Sequence, residues 1–145
     1  ASSLLQTGIY LYKMQPTKLG GEKATFMKNY PFVKWDDDTY KLRPELFESM
    51  FYGWRIKHDP KLRYDAWKFF KAIEKYCSTG SGYSTVHDTS KKVIVYDDIQ
   101  DSFFLSETLK YLYLTFCDDD YFSIYDYVFT TQAHPLKRIL YNKNK

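Results

Sequence analysis

The sequence predicts an all-α chain of successive helix pairs, with short β-strands confined to the loops. Three observations predict it. Apolar residues recur at helical spacing in four separate segments. Two of those segments are joined by little more than Asp59-Pro60. The β-branched or aromatic runs between the segments are short.

The elements follow in chain order. Residues 2–14 carry Leu4, Leu5, Ile9 and Tyr12 at helical spacing. No leader or cap of any length precedes this helix, so its apolar face is expected to be covered by residues outside the sequence. At Pro44 a second helix begins, with proline in its first turn, Glu45 and Glu48 near the positive N-terminal end, and the stripe Phe47, Met50, Phe51 and Trp54. It should stop near His58. Asp59 then reads as an N-cap and Pro60 as the first residue of a third helix with the stripe Ala66, Trp67, Phe70, Ile73 and Tyr76. Ser78 to Gly82 ends it, so residues 44–77 form an αα-hairpin. Residues 101–117 carry Phe103, Phe104, Leu105, Leu109, Leu112 and Phe116, apolar on more than one face, which predicts burial on both sides. Tyr83–Val86, Val93–Tyr96 and Val128–Thr131 read as strands, with Pro135 closing off the last.

A length of 145 residues suits one domain, and neither a fixed-period repeat nor a linker divides it. No apolar run approaches the ~20 residues of a transmembrane helix. Ala1 to Tyr10 has no basic residue before its apolar part, unlike a signal peptide. The net charge of +3 is too balanced for a nucleic-acid footprint, and the basic Lys137, Arg138, Lys143 and Lys145 read as a solvated tail. Cys77 and Cys117 lack zinc spacing, and whether they pair is open. Aromatic residues reach 20%, 15 of them Tyr. That suits a surface both apolar and hydrogen-bonding, as sugar and protein sites are, and equally an aromatic helical core.

Carboxylates inside apolar segments carry the chemical information. They are Glu22, Glu45, Glu48 and Glu107. Glu45 and Glu48 share a helix face, and Glu107 follows Phe103 by four residues, which puts a ring and an acid side by side. A sugar stacks its C–H face on such a ring and hydrogen-bonds the acids. The same residues also read as helix-terminal acids plus a paired core glutamate, and the pattern leaves both readings open. The triplets Asp36–Asp38 and Asp118–Asp120 lack the glycine and glutamate of an EF-hand loop and read as caps and turns. No phosphate-loop, nucleophile-elbow or zinc-protease motif occurs, and His58, His87 and His134 are too scattered for a ligand set.

Four segments together resemble the C-terminal part of glycoside hydrolase family 47, the class I α-1,2-mannosidases. They are Leu42-Arg43-Pro44-Glu45 with Glu48-Ser49; His58-Asp59-Pro60 followed by Ala72–Cys77; Asp101–Leu114; and Val128–Leu136, with Thr130-Thr131-Gln132-Ala133-His134-Pro135 at its centre. Order and spacing match across essentially the whole chain.

The resemblance implies that residues 1–145 are the C-terminal part of a single catalytic domain, an (αα)7 barrel, and not a complete domain alone. It implies calcium-dependent, inverting hydrolysis of terminal α-1,2-linked mannose from high-mannose N-glycans, in the secretory lumen (Golgi or endoplasmic reticulum), membrane-anchored through a segment absent here or secreted. Glu45 would be the general base, Glu22, Arg43, Glu48, Phe103 and Glu107 would hold substrate, and Thr131 would bind Ca2+ through two oxygens. The partners would be the glycan and the remainder of the barrel, which supplies the general acid; nucleic acid is not among them. Three positions depart from the family pattern: Gly8 replaces a disulfide cysteine, Gly21 a proline, and Gln132 the glutamate that orders the metal's waters. The last implies weaker calcium binding. The alternative function is a mannosidase-like glycan-binding protein without turnover, as in glycoprotein quality control.

Overall fold

The computed structural model describes residues 2–29 and 32–139. The elements are α1 (Ser2–Met14), β1 (Lys23–Phe26), β2 (Val33–Asp37), α2 (Glu45–Lys57), α3 (Pro60–Cys77), a π-helical segment (Phe104–Leu109) that runs directly into α4 (Lys110–Phe116), β3 (Tyr127–Phe129) and β4 (Pro135–Lys137). The expected helical chain with short loop strands is what forms. Lys143 and Lys145 of the expected basic tail lie outside the described residues.

Helix α2 is the hub, with α1, α3 and α4 all packing on it. Its Phe47, Met50 and Phe51 are buried, and they meet Phe69 and Ile73 of α3, Phe104 of the π segment, and Tyr111 and Leu114 of α4 in one core. Each such side chain contributes roughly 1.5–3 kcal/mol by leaving water. The α2–α3 connection is sharp for a local reason. His58 takes the left-handed conformation and its N–H caps the carbonyl of Trp54, while the Asp59 side chain accepts from the N–H of Lys61 with Pro60 next in line.

Several expectations are corrected. Pro44 stands one residue before the helix, so α2 starts at Glu45. The buried stripe of α3 is Leu62, Ala66, Phe69, Ile73 and Tyr76; Trp67 is 52% exposed and Phe70 only partly buried. Trp67 follows Ala66 directly, about 100° around the helix, so the phase that buries Phe69 turns the indole outward. The segments 83–86 and 93–96 are not strands. Val86 forms isolated bridges to Tyr40 and to Tyr96, and Tyr83 one to Ser78. A hairpin the sequence did not reveal, β1–β2, pairs Ala24 with Trp35 and Phe26 with Val33. Thr130 and Thr131 leave β3 for a turn, and Pro135 opens β4 instead of ending a strand. Leu105, Tyr113 and Phe116 are each more than 40% exposed, so within the described residues the last helix buries one side and not two.

The aspartate triplets meet the expectation of turns and caps in part: Asp119 and Asp120 lie in a turn, but Asp36 and Asp37 belong to β2. Asp37 accepts from the N–H of Thr39, Asp38 from the Gln15 amide, and Asp119 pairs with His58. Both cysteines are free thiols, and burial pushes the Cys77 thiol up to about 12. Among the described residues no helix is long and apolar enough to cross a membrane.

Candidate active site

The acids meet because two helical segments present their first turns to the same place. Glu45 and Glu48 lie in the first turn of α2, whose exposed backbone N–H groups favour negative charge by about 0.3–1 kcal/mol. Glu107 lies within the π-helical segment. A π turn inserts an extra residue into the helical register, a device found at functional sites. Burial raises the pKa of Glu107, and the charges of Glu45 and then Glu48 push it further, with Lys110 and His134 opposing. The three carboxylates therefore share one electrostatic field.

Glu22 and Arg43 form a second cluster, close enough to the first for the Glu45 charge to act on Arg43. Arg43 Nε donates to both Glu22 oxygens, at 3.2 and 2.9 Å. The hydrogen bond to Glu22 is the largest influence raising the Arg43 pKa. The guanidinium also lies over the Phe103 ring, 5.6 Å from its centroid. The expected carboxylate, guanidinium and ring are thus in contact or in sequence through space.

Arg43 reaches this position through a strained neighbour. Leu42 is fully buried with φ of 60°, a conformation that costs a non-glycine residue roughly 1–2 kcal/mol. The buried hydroxyl of Thr108, in the π segment, donates to the Leu42 carbonyl at 2.6 Å. One hydrogen bond fastens the chain entering α2 to the segment that carries Glu107. Thr108→Val keeps the shape and removes the donor. It should lower stability by about 1–3 kcal/mol in urea denaturation, the cost of leaving a buried carbonyl unpaired.

Thr131 sits in the turn between β3 and β4 and is exposed. Thr130 builds the turn: its Oγ1 accepts from the N–H groups of Gln132 and His134, and its N–H donates to the His134 carbonyl. Ala133, buried with φ of 56°, completes it, and Lys110 Nζ donates to the Ala133 carbonyl at 3.0 Å. Lys110 thereby ties the turn to the helix next to Glu107. Phe129 anchors the base of the hairpin among Phe51, Tyr52 and Tyr111. Neither oxygen of Thr131 has a hydrogen-bond partner among the described residues. No group of three or more His, Cys, Asp or Glu there could hold a metal by itself. Two free, hard oxygen donors on a turn pinned beside a carboxylate field fit calcium chemistry, with water as the source of most other ligands.

The structure adds residues the sequence reading missed. Tyr111 Oη approaches Glu48 at 3.4 Å, a long contact, and burial followed by the Glu48 charge pushes its phenol up. Thr108, Lys110 and Thr130 orient the site without entering it. The one available signal was a threonine and a lysine inside an otherwise apolar helical run.

The model of Glycosyl hydrolase family 47 matches residues 1–138. The chain is 43% identical over 136 residues to mannosyl-oligosaccharide 1,2-alpha-mannosidase IA of Sus scrofa, covering 92% of this chain and 21% of that protein. It is 43% identical over 138 residues to mannosyl-oligosaccharide 1,2-alpha-mannosidase IC of Homo sapiens, covering 94% and 22%. The solved alpha-1,2-mannosidase from Trichoderma reesei superposes with a TM-score of 0.86 at 27% identity, covering 92% of this chain and 32% of that one. The chain thus spans about a fifth of the length of these curated relatives.

Proposed function

The chain belongs to glycosyl hydrolase family 47, and we propose that the protein it comes from releases terminal α-1,2-linked mannose from high-mannose N-glycans. The observation that carries this reading is the convergence of Glu22, Arg43, Phe103, Glu45, Glu48 and Glu107 at one end of the helices. A mannose stacks on Phe103, and its hydroxyls meet Arg43, Glu22, Glu48 and Glu107. Glu45 takes the proton from a water as that water attacks the anomeric carbon and the glycosidic bond breaks. The leaving oxygen is protonated by an acid from the remainder of the barrel. Inverting enzymes hold acid and base about 6.5–9.5 Å apart, with room for the water.

Calcium, when bound, polarises sugar hydroxyls and water. In this chain Thr131 would hold it, while the carboxylates Glu45, Glu48 and Glu107 supply the negative field. The remainder of an (αα)7 barrel would pack against the apolar part of the groove between α1 and α2, about 740 Å³, at Leu4, Leu5 and Ile56, leaving open the part of the same groove that Glu45 and Glu48 line. The reading places the protein in the lumen of the Golgi or endoplasmic reticulum, where its substrate is made. Incubating the full-length protein with a high-mannose glycan should release mannose first as the β-anomer, followed by NMR. Release as the α-anomer rules out inversion.

A second reading, glycan binding without turnover, is favoured by Gln132. Its exposed side chain offers an amide where a carboxylate would strengthen the field around the ion. Gln132→Glu should tighten calcium binding on the order of 10–100-fold by calorimetry. Equal affinity in the two forms removes Gln132 from any role at the metal. Absence of binding in both favours the second reading.

A further inference from the structure

Six non-glycine residues take the left-handed conformation among the described residues, and two of them, Leu42 and Ala133, are fully buried. The other four are exposed or half-buried, where water can meet the displaced backbone groups. A buried one must be held by its neighbours, since the conformation costs roughly 1–2 kcal/mol. Both buried ones adjoin the candidate site. Leu42 directly precedes Arg43. Ala133 closes the turn that carries Thr131, its N–H donating to the Thr130 carbonyl at 2.9 Å.

One short stretch of helix holds both. The hydroxyl of Thr108, itself fully buried, donates to the Leu42 carbonyl at 2.6 Å. Two residues on, Lys110 Nζ donates to the Ala133 carbonyl at 3.0 Å. Neither carbonyl has another partner among the described residues. Side chains two residues apart leave a helix about 200° apart, so a single stretch reaches a loop on either side of it. Glu107 stands at the head of this stretch, with the N–H of Lys110 on its backbone carbonyl. Lys110 gives its side-chain bond to a neutral carbonyl, although the Glu107 carboxylate is near enough to feel its charge.

We infer that Thr108 and Lys110 are a pair of positioning residues, Thr108 setting where Arg43 meets the glycan and Lys110 setting where the Thr131 oxygens meet calcium. This rests on the reading of the site as a mannosidase. Neither residue touches substrate or metal. Each acts through a carbonyl: without the bond, the left-handed residue relaxes and carries its neighbour in the site with it. Lys110 gives the inference a sign. A cation near the metal repels it, so removal of the charge alone would tighten calcium binding, whereas loss of the tether weakens it.

The test uses the full-length protein. It measures calcium affinity by calorimetry without glycan, and KM and kcat on a high-mannose glycan at saturating calcium. Lys110→Met is expected to weaken calcium binding about tenfold and to leave KM nearly unchanged once calcium saturates. Thr108→Val is expected to raise KM about tenfold with little change in kcat or in calcium affinity. Lys110→Arg and Thr108→Ser keep the donors and should restore most of each loss. A general loosening of the fold would instead move both quantities in both variants, and that result overturns the inference. Calcium binding that is unchanged or tighter in Lys110→Met overturns it too, as does an unchanged KM in a folded Thr108→Val protein, or conservative variants that fare no better. Lys110 is only half-buried, so Lys110→Met carries the test by itself if Thr108→Val does not fold. Cleavage by an unaltered protein that binds no calcium overturns this inference and leaves mannose release in place. Failure of the unaltered protein to cleave the glycan overturns the mannosidase reading, and this inference with it.

Discussion

Glu45→Gln is expected to abolish mannose release while the glycan still binds. The amide keeps the shape and hydrogen bonding of the carboxylate but cannot accept a proton from water. Loss of a positioned general base costs about 10²–10⁴-fold in rate. Because the interaction with that proton exists only as the bond breaks, kcat should fall with little change in glycan affinity. Glu45 is suited to the task by position: it opens α2, is exposed, and has no side-chain hydrogen bond or ion pair to restrain it among the described residues. Glu48 differs. One turn further on it is half-buried beside Tyr111. Glu48→Gln should therefore weaken glycan binding more than it slows turnover. Stopped-flow or steady-state release assays, paired with binding of an uncleaved glycan, separate the two. If Glu45→Gln retains a tenth or more of the activity, the base is another group.

Resemblance alone singles out Glu45 as the base, but the helix that carries it is legible because its boundaries are local. Pro44 fixes where α2 can begin, and Asp59-Pro60 fixes where α3 must, so the hairpin between them follows from short-range chemistry. The β1–β2 hairpin was not legible for the opposite reason. Its strands have four and five residues, and Lys-Ala-Thr-Phe has no clean alternation. What holds it is a close approach to Gly21, visible only in space. Val86 misled in a related way. Its β-branched run satisfies buried backbone groups at one crossing, between Tyr40 and Tyr96, instead of building a ladder. The π register at Phe104–Leu109 carries the same apolar pattern an α-helix would. The hydroxyl of Thr108 on Leu42 marks where tertiary contact enters that segment. The grouping of the site acids likewise came from resemblance; periodicity alone placed Glu45 with Glu48 and left Glu22 and Glu107 unconnected.

Arg55→Leu is expected to be the most destabilising single change among the described residues outside the site. The Arg55 side chain is almost wholly buried, stacked over Phe51 with its guanidinium carbon 5.1 Å from the ring centroid. Its terminal nitrogens donate to three carbonyls, those of Asp119 at 2.6 Å, Leu114 at 3.0 Å and Tyr121 at 3.1 Å. Its Nε lies 3.7 Å from the Asp119 carboxylate without a hydrogen bond. Burial pushes the pKa of Arg55 down and Asp119 partly restores it, so the charge is held by this surrounding set. The arrangement closes the end of α4 and the loop that leads to β3, and through β3 it sets where Thr131 stands. Leucine would keep the contact with Phe51 but strand three carbonyls, two of them in a loop with no ladder to rejoin. Leaving a buried acceptor unpaired costs about 1–3 kcal/mol, so stranding three carbonyls should cost about 3 kcal/mol or more. Urea unfolding of the full-length protein should show a loss of that size. His58→Ala, which removes a half-exposed partner of the same Asp119, should cost under about 1 kcal/mol. A small effect for Arg55→Leu, comparable to that of His58→Ala, would mean that the loop is held by its own turns and that Arg55 merely lies beneath it.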